Sequence, residues 1–323
     1  MKLRILLLTA LGLVALCYLV GHAGFAAVMA AALEVGWGGF ALLCAYQLAL
    51  WSLLGLAWFV LLPDTGGRAP WSLIGARIVR DAAGELLPLS QIGGILIGAR
   101  TAVLQGWAQA VAFASVIVDV TAEVLAQIAF VALGCALFSL YARALLPPAV
   151  RDAVAAGLVL LSIGGIVFLL LQRVGHDLVG RLAARILPRT VPVTASIATE
   201  LDAIYASPLR VGASASLHLL GWILNAAAAW IVLALIGVHV RVGAVIAVEA
   251  VICVARSAAV LVPGALGVQE AAYVLLMPII GVPAPIGLAL SLVRRARDVV
   301  LGIPPLLVWQ TLESRRLLAE PAS

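Results

Sequence analysis

Long apolar runs, separated by short polar segments, make up most of the chain, and they predict a bundle of α-helices that cross a membrane. The runs at residues 38–62 and 209–236 are each long enough to span a hydrocarbon core of about 30 Å. Further apolar runs lie at residues 5–20, 102–118, 120–141, 153–171 and 286–302. We therefore predict an all-α, polytopic integral membrane protein with roughly six to eight crossings.

Charged segments indicate how these helices are oriented. Residues 173–190 form a basic, amphipathic segment that we expect to lie on the membrane surface. The positive-inside rule places both termini in the cytoplasm, from Lys2 and Arg4 at one end and Arg315 and Arg316 at the other. A simple count of crossings would put residues 173–190 on the opposite side. Some apolar segments are therefore predicted to be re-entrant, entering the membrane and returning on the same side.

The most unusual stretch, residues 255–276, combines a helix break with charge inside apolar sequence. Pro263 removes a backbone donor, while Gly264 and Gly267 permit backbone angles that a helix does not use. At membrane depth each freed backbone group needs a partner, so a break is tolerated only inside protein or beside a wet cavity. We therefore expect these residues to border a binding site.

A second break, at Pro88, resembles the first. In both stretches an arginine, Arg77 or Arg256, precedes an apolar helix, a proline break and then a glycine. Discontinuous helices at matching positions of two repeats point to a transporter site near the membrane midplane. We predict one transmembrane domain with pseudo-repeats over residues 1–152 and 153–314. Two unrelated breaks in a glycine-rich protein would give the same pattern.

The composition supports this class of protein and excludes others. Hydrophobic residues make up 64% of the chain and charged residues 11%, whereas a soluble domain has about a quarter charged residues. The cysteines are far apart, and neither they nor the histidines have the spacing of a metal site. No basic face interleaved with aromatic residues indicates nucleic-acid binding. We expect no metal, no cofactor and no nucleic-acid partner.

Four pieces of the chain resemble a known family. Residues 263–276, PGALGVQEAAYVLL, resemble the proline-glycine-glycine-leucine-glycine-x-x-glutamate signature of the lysylphosphatidylglycerol synthase transmembrane (flippase-like) family. Residues 80–100, 114–124 and 290–310 resemble further pieces of this family, in the expected order. The combination is closer to one branch, the membrane proteins associated with hopanoid biosynthesis.

The resemblance implies a lipid-translocating membrane domain. Synthase members of the family carry a soluble aminoacyl transferase domain after the membrane part, whereas the matching pieces here all belong to the membrane part. For the hopanoid-associated branch, the resemblance implies movement or placement of hopanoid or related lipids in the inner membrane of a bacterium. Ala265 stands where the family usually has a second glycine, and we expect Gly264 and Gly267 to supply the lost backbone freedom.

Charged residues within apolar sequence are the first candidate binding residues, since each costs roughly 2.5–3.5 kcal/mol to insert in a membrane span. Arg77, Arg80 and Glu85 share one helical face with Asp81. The two arginines could bind a lipid head group, with Glu85 adjusting their charge or carrying a proton. Alternatively, Arg77 and Asp81 belong to a ladder of ion pairs within the helix.

Asp119 and Glu123 repel each other if both are ionised, because they lie four residues apart on a helix. They then need a cation, a proton or water nearby. Alternatively, they form a short polar turn between two spans at the membrane interface.

Glu270 is expected in the first turn after the break, where the helix dipole favours a carboxylate by about 0.3–1 kcal/mol. Capping alone would explain this residue. Alternatively, Glu270 pairs with Arg256 or with arginines of the following helix. The neighbouring Gln269 is an uncharged candidate for contact with a hydroxyl-rich head group.

The following helix carries a cluster of charges that either closes a polar cavity or marks a cytoplasmic helix end. When this cluster is included, the candidate binding residues come from the two broken segments and two further helices. They are Arg77, Arg80, Glu85, Pro88, Gln91, Asp119, Glu123, Arg256, Pro263, Gly264, Gly267, Gln269, Glu270, Arg294, Arg295 and Asp298.

Three functions are compatible with these features. A lipid transporter would shield a head group with polar residues at the two breaks while the acyl or polycyclic part stays in lipid. A non-catalytic scaffold would hold lipid-synthesis enzymes. A membrane-embedded head-group transferase would need a general base, for which Asp119, Glu123 and Glu270 are the candidates. We favour the non-enzymatic transporter, with a hopanoid or an anionic phospholipid as its ligand.

Overall fold

The computed structural model describes residues 25–87, 90–142, 191–259 and 262–319, which form helices joined by short connections, with no β-strand among them. The predicted surface segment 173–190 and the apolar runs 5–20 and 153–171 lie outside these ranges. The helices are α1 (Phe25–Glu34), α2 (Gly36–Val60), α3 (Trp71–Leu86), α4 (Ser90–Leu104), α5 (Gln109–Ala142), α6 (Val191–Tyr205), α7 (Pro208–Leu235), α8 (Val242–Ala258), α9 (Val268–Leu276) and α10 (Ala284–Ala319). Short 3-10 turns at Pro263–Ala265 and Met277–Ile280 lie on either side of α9.

Three of these helices are long and apolar enough to cross a membrane. They are α2, the part of α5 from Gln109 to Phe138, and α7, judged by length and composition. Two shorter apolar helical segments, Gly93–Leu104 and Val268–Ile280, follow the two predicted breaks. The all-α, multi-pass membrane fold expected from the apolar runs is therefore confirmed.

α5 is one continuous helix, so the separate runs predicted on either side of Asp119 are wrong. The interpretation of Asp119 and Glu123 as a polar turn between two spans is wrong for the same reason. The helix continues through these residues because both carboxylates find arginine partners inside the bundle. A neutralised carboxylate does not need the water of an interface.

Both predicted helix breaks are present in the described residues. At the first, Leu87 ends α3 in an extended conformation (φ −96°, ψ 152°), as expected for the residue before a proline. Pro88 itself lies outside the described residues. At the second, α8 ends at Ala258 and α9 begins at Val268, with the turn Pro263–Ala265 between them. Re-entry of these segments from one side of a membrane stays a prediction.

Each of the two broken segments, α3–α4 and α8–α9, packs against helices from both halves of the chain. α3 lies against α2 and α10, α8 lies against α7 and α5, and α2 and α7 lie against each other. Gly134 permits the close approach of α5 and α8, since a Cβ there would be 2.0 Å from the Cβ of Ala250. Each broken segment thus contacts a long helix from the other half of the chain. The repeat boundaries 1–152 and 153–314 stay a prediction.

Gly55 tests the packing of α2 on α3. A Cβ at this position would be 2.5 Å from the Cα of Ile74, a backbone atom. We expect Gly55→Ala to lower the free energy of unfolding by about 1–3 kcal/mol, as other overpacked sites do. Thermal unfolding in detergent micelles measures this change.

Gly38→Ala is the matched control, because Gly38 is in the same helix and a Cβ there would meet no atom within 4 Å. It should be neutral or should stabilise the helix by up to about 1 kcal/mol. Equal destabilisation by the two substitutions would contradict the close packing of α2 on α3.

Candidate functional site

A cavity of about 490 Å³, lined by both charged and apolar side chains, lies among the helices and brings together residues from both halves of the chain. Its wall includes residues of α2, α3, α4, α5, α7, α8, α9 and α10, and of the turn before α9. The predicted site residues in this wall are Arg77, Arg80, Glu85, Glu123, Arg256, Gly264, Gln269, Arg294 and Asp298. Asp119, Gly267, Glu270 and Arg295 lie behind the wall and contact its residues or the turn.

The first charge cluster joins α3 to α5. Arg77 donates from Nη1 to Asp119 Oδ2 at 3.0 Å and from Nη2 to Glu123 Oε1 at 2.9 Å. Arg80 reaches the same two carboxylates, with Nη1–Oδ2 at 2.5 Å and Nη2–Oε2 at 2.7 Å. Arg77 also donates from Nε to Asp81 at 2.9 Å. The two arginines are therefore the cations that Asp119 and Glu123 need, and the predicted Arg77–Asp81 ion pair is present.

His218 of α7 extends this cluster to a third helix. Its Nε2 lies 2.9 Å from Asp119 Oδ1, and both side chains are completely buried. An ionised carboxylate only accepts hydrogen bonds, so Nε2 carries the hydrogen, and Nδ1 is an acceptor in a neutral ring and a donor in a protonated one. Within the described residues Nδ1 has no hydrogen-bond partner. His218 lines the cavity and was not among the predicted site residues.

The second charge cluster joins α8 to α10. Arg294 donates from Nη1 to both oxygens of Glu249, at 3.1 and 3.0 Å, and to the Tyr273 hydroxyl at 2.6 Å. Its Nη2 donates to Asn225 Oδ1 of α7 at 3.0 Å. Tyr273 in turn donates to Glu249. Glu249 was missed from the sequence, although a single charge inside the apolar run 242–255 is itself a signal.

A third set of contacts replaces the helical hydrogen bonds lost at the second break. Glu270 accepts from the Gly267 backbone N–H at 2.8 Å, as a capping residue does. Arg295 pairs with the Glu270 carboxylate and donates to the Gly264 carbonyl at 3.0 Å. Ser291 also donates to Glu270, at 2.9 Å. Both interpretations of Glu270 therefore apply: it caps α9, and it pairs with an arginine of α10 rather than with Arg256.

Arg256 instead joins the two breaks to each other. Its Nη2 donates to Glu85 Oε1 at 2.5 Å, and both side chains are about a quarter exposed. The backbones also meet here, because a Cβ on Gly264 would lie 2.9 Å from the Glu85 carbonyl oxygen. Only glycine allows this approach, and its φ of +56° also favours glycine. The two breaks therefore form one contact in the fold.

Four predicted site residues remain to be placed. Pro88 lies outside the described residues, and Gln91 lies in the first turn of α4, with a side chain that the structure does not describe. Pro263 begins the 3-10 turn before α9. Asp298 accepts from its neighbour Arg297 at 2.7 Å.

The charges have opposite signs in the two broken segments. Arg77 is nine residues from the last residue of α3, and Glu249 is nine residues from the last residue of α8. The charges near the ends of these helices are also opposite in sign, since α3 has Glu85 there and α8 has Arg256. The match of Arg77 with Arg256 drawn from the sequence therefore does not correspond to equivalent places in the structure.

Ala265 departs from expectation. Its φ is +49°, so it adopts a left-handed conformation itself, and its neighbours Gly264 and Gly267 do so too, at +56° and +80°. The expectation that the two glycines would supply the freedom lost at Ala265 is wrong. The turn requires all three residues, and a side chain at positive φ costs roughly 1–2 kcal/mol.

These features define a polytopic α-helical membrane protein with a central, charge-lined cavity beside two helix breaks. The family described as lysylphosphatidylglycerol synthase TM region matches residues 3–305, and the chain belongs to this family. The family match indicates a membrane protein that takes part in lipid-related processes. Comparison with curated proteins and with solved structures gave no match.

Asp119 tests whether the first charge cluster stabilises the fold. We expect Asp119→Asn to lower the free energy of unfolding by about 3–5 kcal/mol, because it leaves buried arginines without part of their countercharge. Glu313→Gln is the control, since the Arg100–Glu313 pair is 34% and 20% exposed and such pairs contribute about 1 kcal/mol or less. Thermal unfolding in detergent micelles compares the two, and similar small shifts would count against the cluster.

Ala265 gives a second test of the turn. Ala265→Gly should leave stability unchanged or raise it by up to about 1 kcal/mol, as relief of strain is partly offset by the greater freedom of glycine in the unfolded chain. Ala265→Val should lower the free energy of unfolding by about 1–3 kcal/mol, since a branched residue tolerates positive φ poorly. The same unfolding measurement applies, and a stabilising valine would refute the assigned backbone conformation.

Proposed function

We propose that this chain is a non-enzymatic, flippase-like transporter that moves or places a hopanoid or related lipid in a bacterial inner membrane. We also propose that both termini of the chain lie in the cytoplasm. The observation that supports the transporter most is the charge-lined cavity of about 490 Å³ inside an otherwise apolar helical bundle. Ligand cavities commonly measure about 300–1,000 Å³, so this one is large enough for a head group but not for a whole lipid.

The surroundings of the cavity support a lipid ligand. Apolar side chains such as Leu96, Leu220 and Leu275 are exposed on the outer surface of the helices, where acyl chains or fused rings would lie in the membrane. The wall of the cavity instead combines charged and polar side chains, such as Arg77, with apolar ones, such as Leu50. A ligand with a polar head and an apolar body would satisfy both regions at once.

The arrangement of the breaks supports movement rather than static binding. Both breaks meet at the cavity, and each belongs to a segment that packs on the other half of the chain. Transporters with paired discontinuous helices change access by rocking one half against the other around a fixed site. The Arg256–Glu85 pair is the direct ionic contact between the two breaks.

One observation favours the transferase as a second candidate. His218 is held by Asp119 with its second ring nitrogen unpartnered among the described residues, which is how a carboxylate orients a general base. The same geometry also suits a binding role. The scaffold alternative has no specific contact in its favour.

Transbilayer movement of a labelled lipid tests the proposal. The protein is reconstituted in vesicles that contain a fluorescent hopanoid, and the fraction of label reachable by an external quencher is followed over time. We expect the wild type to move the label and Arg256→Gln to slow this movement roughly tenfold, because the contact between the breaks couples the two halves. Arg100→Gln removes the Arg100–Glu313 pair, which also joins the two halves and is similarly exposed but does not line the cavity, and should move the label at the wild-type rate.

Each result has a definite meaning. Movement no faster than in empty vesicles would overturn the transporter for this lipid. Equal slowing by Arg256→Gln and Arg100→Gln would show that the breaks have no special role. A chemically altered head group, detected by mass spectrometry of the recovered lipid, would favour the transferase.

A further inference from the structure

The wall of the cavity carries no spare charge among the residues that the structure describes. Five arginines and five carboxylates line it, and each one is paired with an opposite charge. Asp119, directly behind the wall, adds a further negative charge close to Arg77 and Arg80. The charge of each arginine is therefore already balanced by a protein carboxylate, although Arg297 keeps one N–H group without a partner among the described residues.

This balance opposes a ligand with a net negative charge. An anion placed in the cavity would lose its hydration and would have to break an existing ion pair to obtain a countercharge. Removing one partner from a buried pair leaves the other charge without compensation, which is strongly unfavourable. An uncharged head group has no such requirement.

Other atoms of the wall do lack partners. Gln47 Oε1, His218 Nδ1 and Arg297 Nη1 are buried, have no hydrogen bond among the described residues, and belong to side chains that line the cavity. These side chains are 5%, 0% and 3% exposed. They come from α2, α7 and α10, so they approach from three different helices.

The chemistry of these atoms defines a complementary ligand. The amide oxygen of Gln47 accepts hydrogen bonds and Nη1 of Arg297 donates one, while Nδ1 of His218 accepts in a neutral ring and donates in a protonated one. A hydroxyl group both donates and accepts, and several hydroxyls on one head group match this set. A phosphocholine head group has no hydroxyl and therefore leaves the acceptor Gln47 Oε1 unpaired.

We infer that the cavity binds an uncharged, hydroxyl-rich lipid head group, such as a sugar or polyol, through Gln47, His218 and Arg297. This inference rests on the proposed function, because it names the class of head group that the transporter takes. Of the two ligands considered from the sequence, this inference favours an uncharged lipid over the anionic phospholipid.

Binding of three lipids in detergent micelles tests the inference. Monoglucosyl diacylglycerol carries hydroxyls without charge, phosphatidylglycerol carries hydroxyls with a negative charge, and phosphatidylcholine carries no hydroxyl and no net charge. Intrinsic tryptophan fluorescence is the readout, because Trp51 and Trp222 line the cavity. We expect the glucosyl lipid to bind at least about tenfold more tightly than either of the others, a difference of about 1.4 kcal/mol.

Gln47→Leu supplies the sharpest variant. It removes an amide that has no hydrogen bond to its Oε1 in the described structure, so the fold should stay as stable or become more stable. Affinity for the glucosyl lipid should fall about threefold to tenfold, the value of one hydrogen bond. Ser214→Ala is the matched control, because Ser214 also has a buried, unpartnered oxygen in the described structure but does not line the cavity. It should leave affinity unchanged.

The outcomes separate this inference from the proposed function. Equal or tighter binding of phosphatidylglycerol would overturn the argument from charge, and equal binding of phosphatidylcholine would overturn the argument from hydroxyls. Unchanged affinity in Gln47→Leu would remove Gln47 from the site. Selective binding of the glucosyl lipid without transbilayer movement would support the inference and reject the transporter.

Discussion

An arginine held away from water in a helical bundle needs a carboxylate beside it, and this requirement determines how helices are placed within each half of the molecule. Arg77 is 2% exposed, and two of its three carboxylate partners come from α5. Arg294 is 5% exposed, and its carboxylate partner comes from α8. Moving either pair of helices apart would leave charges uncompensated at a cost of several kcal/mol. The ion pairs therefore fix the positions of α3 on α5 and of α8 on α10.

The helix break before α9 depends on the same chemistry. Breaking a helix in an apolar environment frees backbone groups that must be paired elsewhere. Arg295 donates a hydrogen bond to the Gly264 carbonyl, and Glu270 accepts one from the Gly267 N–H. The charges of these two side chains neutralise each other. One ion pair thus replaces hydrogen bonds on both sides of the turn. The need to pair these backbone groups is enough to explain the charged residues next to the break, and no ligand has to be invoked.

Local chemistry made part of this structure predictable from the sequence. Proline and glycine indicated both breaks, a four-residue spacing indicated the Arg77–Asp81 pair, and position after the turn indicated that Glu270 caps α9. Partners distant in sequence could not be predicted, since they depend on which helices pack together. Arg256 was matched with Arg77, yet it pairs with Glu85. His218 has no motif around it, and only the approach of α7 to α5 shows its role.

The ion pairs within each half differ in their access to water from the Arg256–Glu85 pair between the halves. The Arg77–Asp119 and Arg294–Glu249 pairs are almost completely buried, whereas Arg256 and Glu85 are 28% and 27% exposed. Water screens an exposed pair and solvates its charges when they part, so separation there costs least. The deeper pairs hold each broken segment to its own neighbouring long helix. The Arg100–Glu313 pair between the halves is exposed to a similar degree, but of the two pairs only Arg256–Glu85 lies where the breaks meet, beside the cavity. Relative motion of the halves would therefore change the cavity by separating Arg256 from Glu85.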